Sequence, residues 1–149
     1  EIKLDNLSKC LEEAYLLYFN TRKDIKLNLI KPENDIYFHF DSLQISRCFN
    51  NLIKNAIEAV EKIPNPAVEV LLATDTKNIK IEIKDNGVGI DEKMLSKIFE
   101  PYFTTKTKGT GLGLSIVKRI IEDHGGKIKI EKNKNMAGTT SLINFEYNA

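Results

Sequence analysis

No apolar run in this chain approaches the length of a membrane-spanning helix, and no signal peptide stands at its start. Membrane contact by these residues is therefore not expected. Cysteine is scarce: the 2 present, Cys10 and Cys48, lie far apart and lack metal-ligand spacing. That excludes a paired-cysteine metal site and points to a reduced, cytoplasmic setting. Neither sign of charge dominates, with 22 basic residues interspersed among 21 acidic ones. A nucleic-acid surface would need a basic stripe, so no nucleic-acid partner is expected. Internal repeats and low-complexity tracts are also missing. The first residue is Glu1 rather than Met, and the expectation is a fragment of a longer protein or a processed chain.

What is present suits one soluble domain over 1–149, with 42% hydrophobic and 29% charged residues. Leu4, Leu7, Leu11, Ala14, Tyr15 and Tyr18 recur at helical spacing, predicting a helix from Leu4 to Phe19. IKLNLI (25–30) and DIYFHF (35–40) alternate apolar and polar residues and predict strands, with KPEN as the turn. Asp41 or Ser42 can cap a helix running to about Ile63, where Pro64 and Pro66 stop it. Strands at 68–74 and 78–84 follow, joined by DTK, then a short helix over 91–98. A helix from Gly111 to His124 ends at Gly125, a left-handed cap, and strands at 127–132 and 139–145 pair behind it. About three main helices on one face of a mixed, mostly antiparallel sheet make an α+β two-layer sandwich.

Four stretches carry chemistry. In FNNLIKNAIEAV (49–60), Asn51, Asn55 and Glu58 share a helix face. An asparagine oxygen is a hard, neutral ligand that suits Mg²⁺ when phosphate oxygens complete the shell. The same residues also fit a plain solvated face opposite the apolar stripe, although asparagine is mildly unfavourable inside a helix. In KDNGVGI (84–90), Asp85 ends a strand and can accept a hydrogen bond from the exocyclic amine of adenine. Guanine carries a carbonyl at that place and would be repelled. Gly87 and Gly89 would let a purine lie against the backbone. Asp-Asn-Gly is also a hairpin turn, but the helix-like residues after it offer no return strand.

FEPYFTTKTKGT (99–110) has no apolar period and reads as a mobile loop. Its Lys106 and Lys108 can reach phosphates, while Phe99, Tyr102 and Phe103 either anchor the loop or form a patch for another domain. In GTGLGLSIVKRI (109–120), Gly109, Gly111 and Gly113 precede a helix. Free amides, the positive dipole end and missing side chains together make a phosphate site. It is not a Walker A loop, because Lys-Ser/Thr does not follow the last glycine, nor a dinucleotide fingerprint, because no strand precedes it. Each stretch alone is weak. All four suit one ligand, ATP with Mg²⁺.

NLIKNA (51–56), DNGVGI (85–90), FEPYFTTK (99–106) and GTGLGLSIV (109–117) resemble, in order, the N, G1, F and G2 boxes of sensor histidine kinases of the GHKL superfamily. The segment 100–126 is similar to the nitrogen-regulation kinases of the NtrY type. The resemblance implies the Bergerat fold, with ATP under a mobile lid. It implies that Asn55 holds Mg²⁺, that Asn51 lies near the phosphates, and that Asp85 binds adenine in a pocket shaped by Gly87, Gly89 and Ile90. It places Thr104, Thr105 and catalytic Lys106 in the lid. Gly109, Thr110, Gly111, Leu112, Gly113 and Leu114 form the hinge and phosphate-binding helix start, and Thr139 approaches the nucleotide.

Gyrase-like relatives carry a glutamate at the position of Asn51. Asparagine cannot act as a general base at neutral pH, so slow ATP hydrolysis is expected. The phosphoacceptor is missing, since neither His39 nor His124 stands in a His-Glu pair on a long dimerisation helix. His39 reads as a structural strand residue and His124 as partly buried at a helix end. The resemblance therefore implies a monomeric catalytic half, the cytosolic part of a membrane-anchored sensor. It would phosphorylate a histidine on a separate helical domain that passes the group to a response regulator. A free-standing anti-sigma-type serine kinase and a nucleotide-sensing module without transfer activity are the competing readings.

Overall fold

The computed structural model describes residues 1–101 and 113–147. Chain order is β1 (Lys3–Asn6), α1 (Leu7–Phe19), β2 (Lys26–Ile30), β3 (Tyr37–Phe40), α2 (Ser42–Val60), β4 (Ala67–Thr74), β5 (Asn78–Asp85), α3 (Glu92–Leu95), α4 (Gly113–Asp123), β6 (Gly126–Lys132) and β7 (Thr139–Glu146). A five-stranded sheet has the order β2-β4-β5-β7-β6. Only β2 with β4 is parallel; the other junctions are antiparallel.

Strand alternation sets the layers. Val68, Val70, Leu72, Ile79, Ile81, Ile83, Ile143 and Phe145 are buried on one face, while the intervening Glu69 and Lys80 are exposed. The apolar stripe of α2, with Ile45, Phe49, Leu52, Ile53, Ile57 and Val60, covers β4 and β5. α4 contributes Val117, Ile120 and Ile121 against α2 and β6. α1 packs on α2, and the Tyr15 hydroxyl donates to the Leu27 carbonyl of β2 at 2.8 Å. Each fully buried aliphatic or aromatic side chain here stabilises the fold by about 1.5–3 kcal/mol. The result is the expected α+β sandwich with its main helices on one face. No helix among the described residues is long and apolar enough to cross a membrane.

The structure departs from the sequence reading in several places. α1 begins at Leu7, not Leu4, because the Asn6 side chain accepts the Lys9 N–H at 2.9 Å and caps the helix. Residues 3–6 instead pair antiparallel with β3, and Leu4 is exposed on that strand. Its fit to the helical period is coincidental. The strands flanking KPEN form as shorter elements, but they join different sheets. α2 stops at Val60 rather than Ile63, and α3 covers only Glu92–Leu95.

Other expectations hold. Asp41 is the cap of α2, accepting from the Leu43 and Gln44 amides at 3.1 and 3.2 Å. The Asp75 side chain accepts from the Lys77 and Asn78 amides at 2.8 Å each, closing the β4–β5 turn. Gly125 adopts φ 75°, as a left-handed cap requires. Both cysteines are free and buried, and burial pushes each thiol up to about 12. His124 is half-buried: its Nε2 accepts the Asp41 N–H at 3.0 Å and its Nδ1 donates to the Ile120 carbonyl at 2.7 Å. His39 is exposed on β3.

Candidate functional site

α2 is the spine on which the separated stretches meet. Asn51, Asn55 and Ala59 are spaced four apart and share one line along the helix. At the Asn51 end stands Gly113, the first residue of α4. A Cβ on Gly113 would lie 2.7 Å from Asn51 Nδ2, so only glycine fits this approach without moving the amide. At the Ala59 end stands the loop after β5. A Cβ on Gly87 would lie 2.4 Å from the Ala59 carbonyl oxygen, which also accepts the Val88 N–H at 3.3 Å. Between the two ends, Asn55 Nδ2 donates to Asn51 Oδ1 at 3.2 Å. That bond puts the Asn55 oxygen on the far side of its amide. The third residue of the predicted face, Glu58, is half-buried, and its charge helps burial raise the Tyr18 phenol.

Asp85 is the only buried carboxylate among the described residues. Its Oδ1 accepts the Gly87 N–H at 2.9 Å and the Thr139 N–H at 3.4 Å. Oδ2 has no hydrogen-bond partner among the described residues. Burial raises the pKa of Asp85, and the two amide bonds oppose that shift. Thr139 is thus brought directly beside Asp85. Gly89 adopts φ 78°, and half-buried Ile90 lines a groove with Gly89, Lys132, Asn133 and Gly138. Leu114 is half-buried and packs on the core.

The structure therefore brings together Asn51, Asn55, Asp85, Gly87, Gly89, Ile90, Gly113, Leu114 and Thr139. Thr104, Thr105, Lys106, Lys108, Gly109, Thr110, Gly111 and Leu112, with Tyr102 and Phe103, lie outside the described residues. Phe99 is half-buried, with the Lys118 ammonium of α4 5.4 Å from its ring centroid.

Three residues that the sequence reading passed over support Asp85. Asn86 Oδ1 accepts the Ala67 N–H at 2.9 Å, and its Nδ2 donates to the Asn65 carbonyl at 2.9 Å, tying the loop to the start of β4. Asn133, beyond β6, donates from Nδ2 to the Asp85 carbonyl at 2.7 Å. Gly138 has φ 106°, and a Cβ there would lie 2.0 Å from the Asp85 carbonyl oxygen. In sequence, NKNMAG reads only as a turn, with no sign of what the turn touches.

Residues 40–148 match the family described as histidine kinase-, DNA gyrase B- and HSP90-like ATPase. The chain belongs to this family, as a sensor histidine kinase catalytic domain. Sporulation kinase A of Bacillus subtilis is 40% identical over 143 residues, which cover 94% of this chain and 23% of that protein. A putative NtrY-like sensor histidine kinase of Rickettsia bellii is 40% identical over 108 residues, 72% of this chain and 18% of the other. The chain thus spans about a quarter or less of these relatives. The catalytic domain of histidine kinase ThkA superposes with a TM-score of 0.86 at 33% identity, covering 98% of this chain and 95% of that one. ThkA has also been solved in complex with the response regulator protein TrrA; its kinase chain matches with a TM-score of 0.82 at 29% identity, covering 99% of this chain and 42% of that one.

Proposed function

We propose that this chain, as the single catalytic domain 1–149 of a larger kinase, binds Mg-ATP along α2 and transfers its γ-phosphoryl group to a histidine on a separate helical domain. The observation that carries the reading is the line Gly113–Asn51–Asn55–Ala59–Gly87. It sets a helix start, an asparagine pair and a purine-type loop along one helix, about two turns from end to end.

Each described residue has a distinct task. Asp85 accepts the exocyclic amine of adenine through the oxygen that has no partner among the described residues, while Gly87, which seats this loop against the Ala59 carbonyl of α2, and Gly89, at φ 78°, shape the backbone beside the ring. The opening amides of α4 face the phosphates. Asn55 offers its oxygen to Mg²⁺, and Asn51 orients it through the bond between the two amides. Among the described residues no three His, Cys, Asp or Glu side chains cluster to hold a metal. When bound, Mg²⁺ neutralises charge on the transferring phosphoryl group. Lys106, with Thr104 and Thr105, supplies positive charge and hydrogen-bond donors for the phosphates.

Catalysis by these residues is positioning and charge neutralisation, without a general base. Asn51 cannot deprotonate water, so the isolated chain hydrolyses ATP slowly. The larger protein is a membrane-anchored sensor with this domain in the cytosol, and a response regulator takes the phosphoryl group from the phosphohistidine. The ThkA complex with TrrA supports that last step by analogy. The chain alone is a monomer.

The test mixes the chain with a helical phosphoacceptor domain and γ-labelled ATP. Acid-labile label on histidine is the expected result. Absence of ATP binding at millimolar nucleotide, or label on serine, sinks the reading.

A further inference from the structure

We infer that Asn133 is a positioning residue for base recognition: by holding the backbone of Asp85, it sets the preference for adenine over guanine nucleotides. The inference rests on the reading of Asp85 as the adenine acceptor.

The pairing of β5 with β7 ends at Lys84 opposite Thr140, one residue short of Asp85. Side-chain bonds take over at that point. Thr139 N–H goes to the Asp85 carboxylate at 3.4 Å, and Asn133 Nδ2 goes to the Asp85 carbonyl at 2.7 Å. Asn133 uses both of its amide hydrogens and its oxygen here. Its Nδ2 donates a second time to the Ala137 carbonyl at 3.0 Å, and its Oδ1 accepts the Thr140 hydroxyl at 2.5 Å. Its own N–H donates to the Gly138 carbonyl at 3.1 Å. An amide is the only side-chain group of this size that can donate twice and accept once at these places. The turn from Asn133 to Gly138 is thereby closed on itself and pressed on Asp85.

The consequence for recognition is geometric. Discrimination between adenine and guanine depends on where the Asp85 acceptor stands relative to the base edge. The carboxylate is held by Gly87 and Thr139, and the backbone behind it is held by Asn133. Loss of Asn133 leaves a carbonyl beside a buried side chain without its donor, so the strand end reorients to find another. The carboxylate then moves with it.

The experiment measures ATP and GTP affinity by titration calorimetry, with thermal melts, for the 149-residue chain and its variants. Asn133→Ala is expected to lower ATP affinity about tenfold, the value of one hydrogen bond, while GTP affinity changes little. The ATP/GTP ratio therefore falls. Thr140→Val, which only releases the Asn133 oxygen, should lower the same ratio by a smaller factor, and it carries the test where Asn133→Ala does not fold. In an Asp85→Ala background, Asn133→Ala should no longer change ATP affinity.

A lower melting temperature with an unchanged ATP/GTP ratio would show that Asn133 is merely structural and overturn the inference. So would a full Asn133→Ala effect surviving in the Asp85→Ala background. A wild-type chain that binds ATP no better than GTP overturns the reading of Asp85 itself.

Discussion

The two ends of the site are built differently. At the Asp85 end, backbone meets backbone: Gly138 against the Asp85 carbonyl and Gly87 against the Ala59 carbonyl, with Asn86 and Asn133 bracing the same strand end. At the Asn51 end, Gly113 meets a side-chain amide, and that amide can rotate. The first end is a preformed cast and the second adjusts. This division suits a ligand with a rigid planar base at one end and flexible phosphates at the other, because the base needs fixed acceptors and the phosphates need donors that can follow them.

The sharpest way to break the comparison is Gly138→Ala. The new Cβ meets carbonyl backbone that cannot swing aside, in a left-handed conformation that alanine adopts only with strain. The expected loss is about 3 kcal/mol or more of stability, with nucleotide binding lost alongside. Thermal melts and ATP titration together check it. A melting temperature equal to wild type would show that the backbone around Asp85 gives way.

Asp85→Asn should separate function from stability. Burial raises the folded pKa of Asp85 above its ordinary value, so the fold favours the protonated form. Between the ordinary and the raised value, its contribution to stability falls as pH rises. Above that window Asp85 is a net cost to the fold relative to acid pH. Asparagine removes that cost, so the melting temperature at pH 7 should hold or rise. The wild-type advantage lost on going from acid to neutral pH should shrink in the variant. ATP affinity should drop about 10- to 100-fold, from roughly 1.5–3 kcal/mol for a hydrogen bond to a charged group. The new amide can donate to the guanine carbonyl, so GTP binding should improve.

Gly113→Val tests the adjustable end. The Asn51 amide yields, so ATP affinity should fall several-fold, on the order of 1 kcal/mol, with a smaller change in the melting temperature. A collapse of the fold would erase the distinction between the two ends. The smallest expected effect lies away from both. His124→Phe leaves the Asp41 N–H without its acceptor and should cost about 1 kcal/mol of stability while leaving ATP affinity unchanged.

Much of this was legible before the fold was seen. The α2 stripe, the β4–β5 hairpin, the β6–β7 pair and the Gly125 cap all follow from period and local turn chemistry, which act over a few residues. Of the site, Asp85 and Gly87 were legible because a carboxylate at the end of an alternating strand and the glycines after it stand within a few residues of each other. Asn133 and Gly138 were not, because their partner is about fifty residues away. Residues 3–6 misled for a related reason: an apolar residue at the right interval extended the helix on paper, while pairing with β3 claimed it in space.

The sequence by itself determined most of the helices and strands, though not the strand at residues 3–6, and which short stretches have the chemistry for a purine, a cation and phosphates. Those properties are local, written in spacing, caps and glycines. Tertiary structure alone decided that β2 runs parallel to β4, that α2 carries both ends of the site, and that a distant turn closes on Asp85. Such choices depend on which buried surfaces and unpaired carbonyls meet after collapse, and no interval along the chain encodes them.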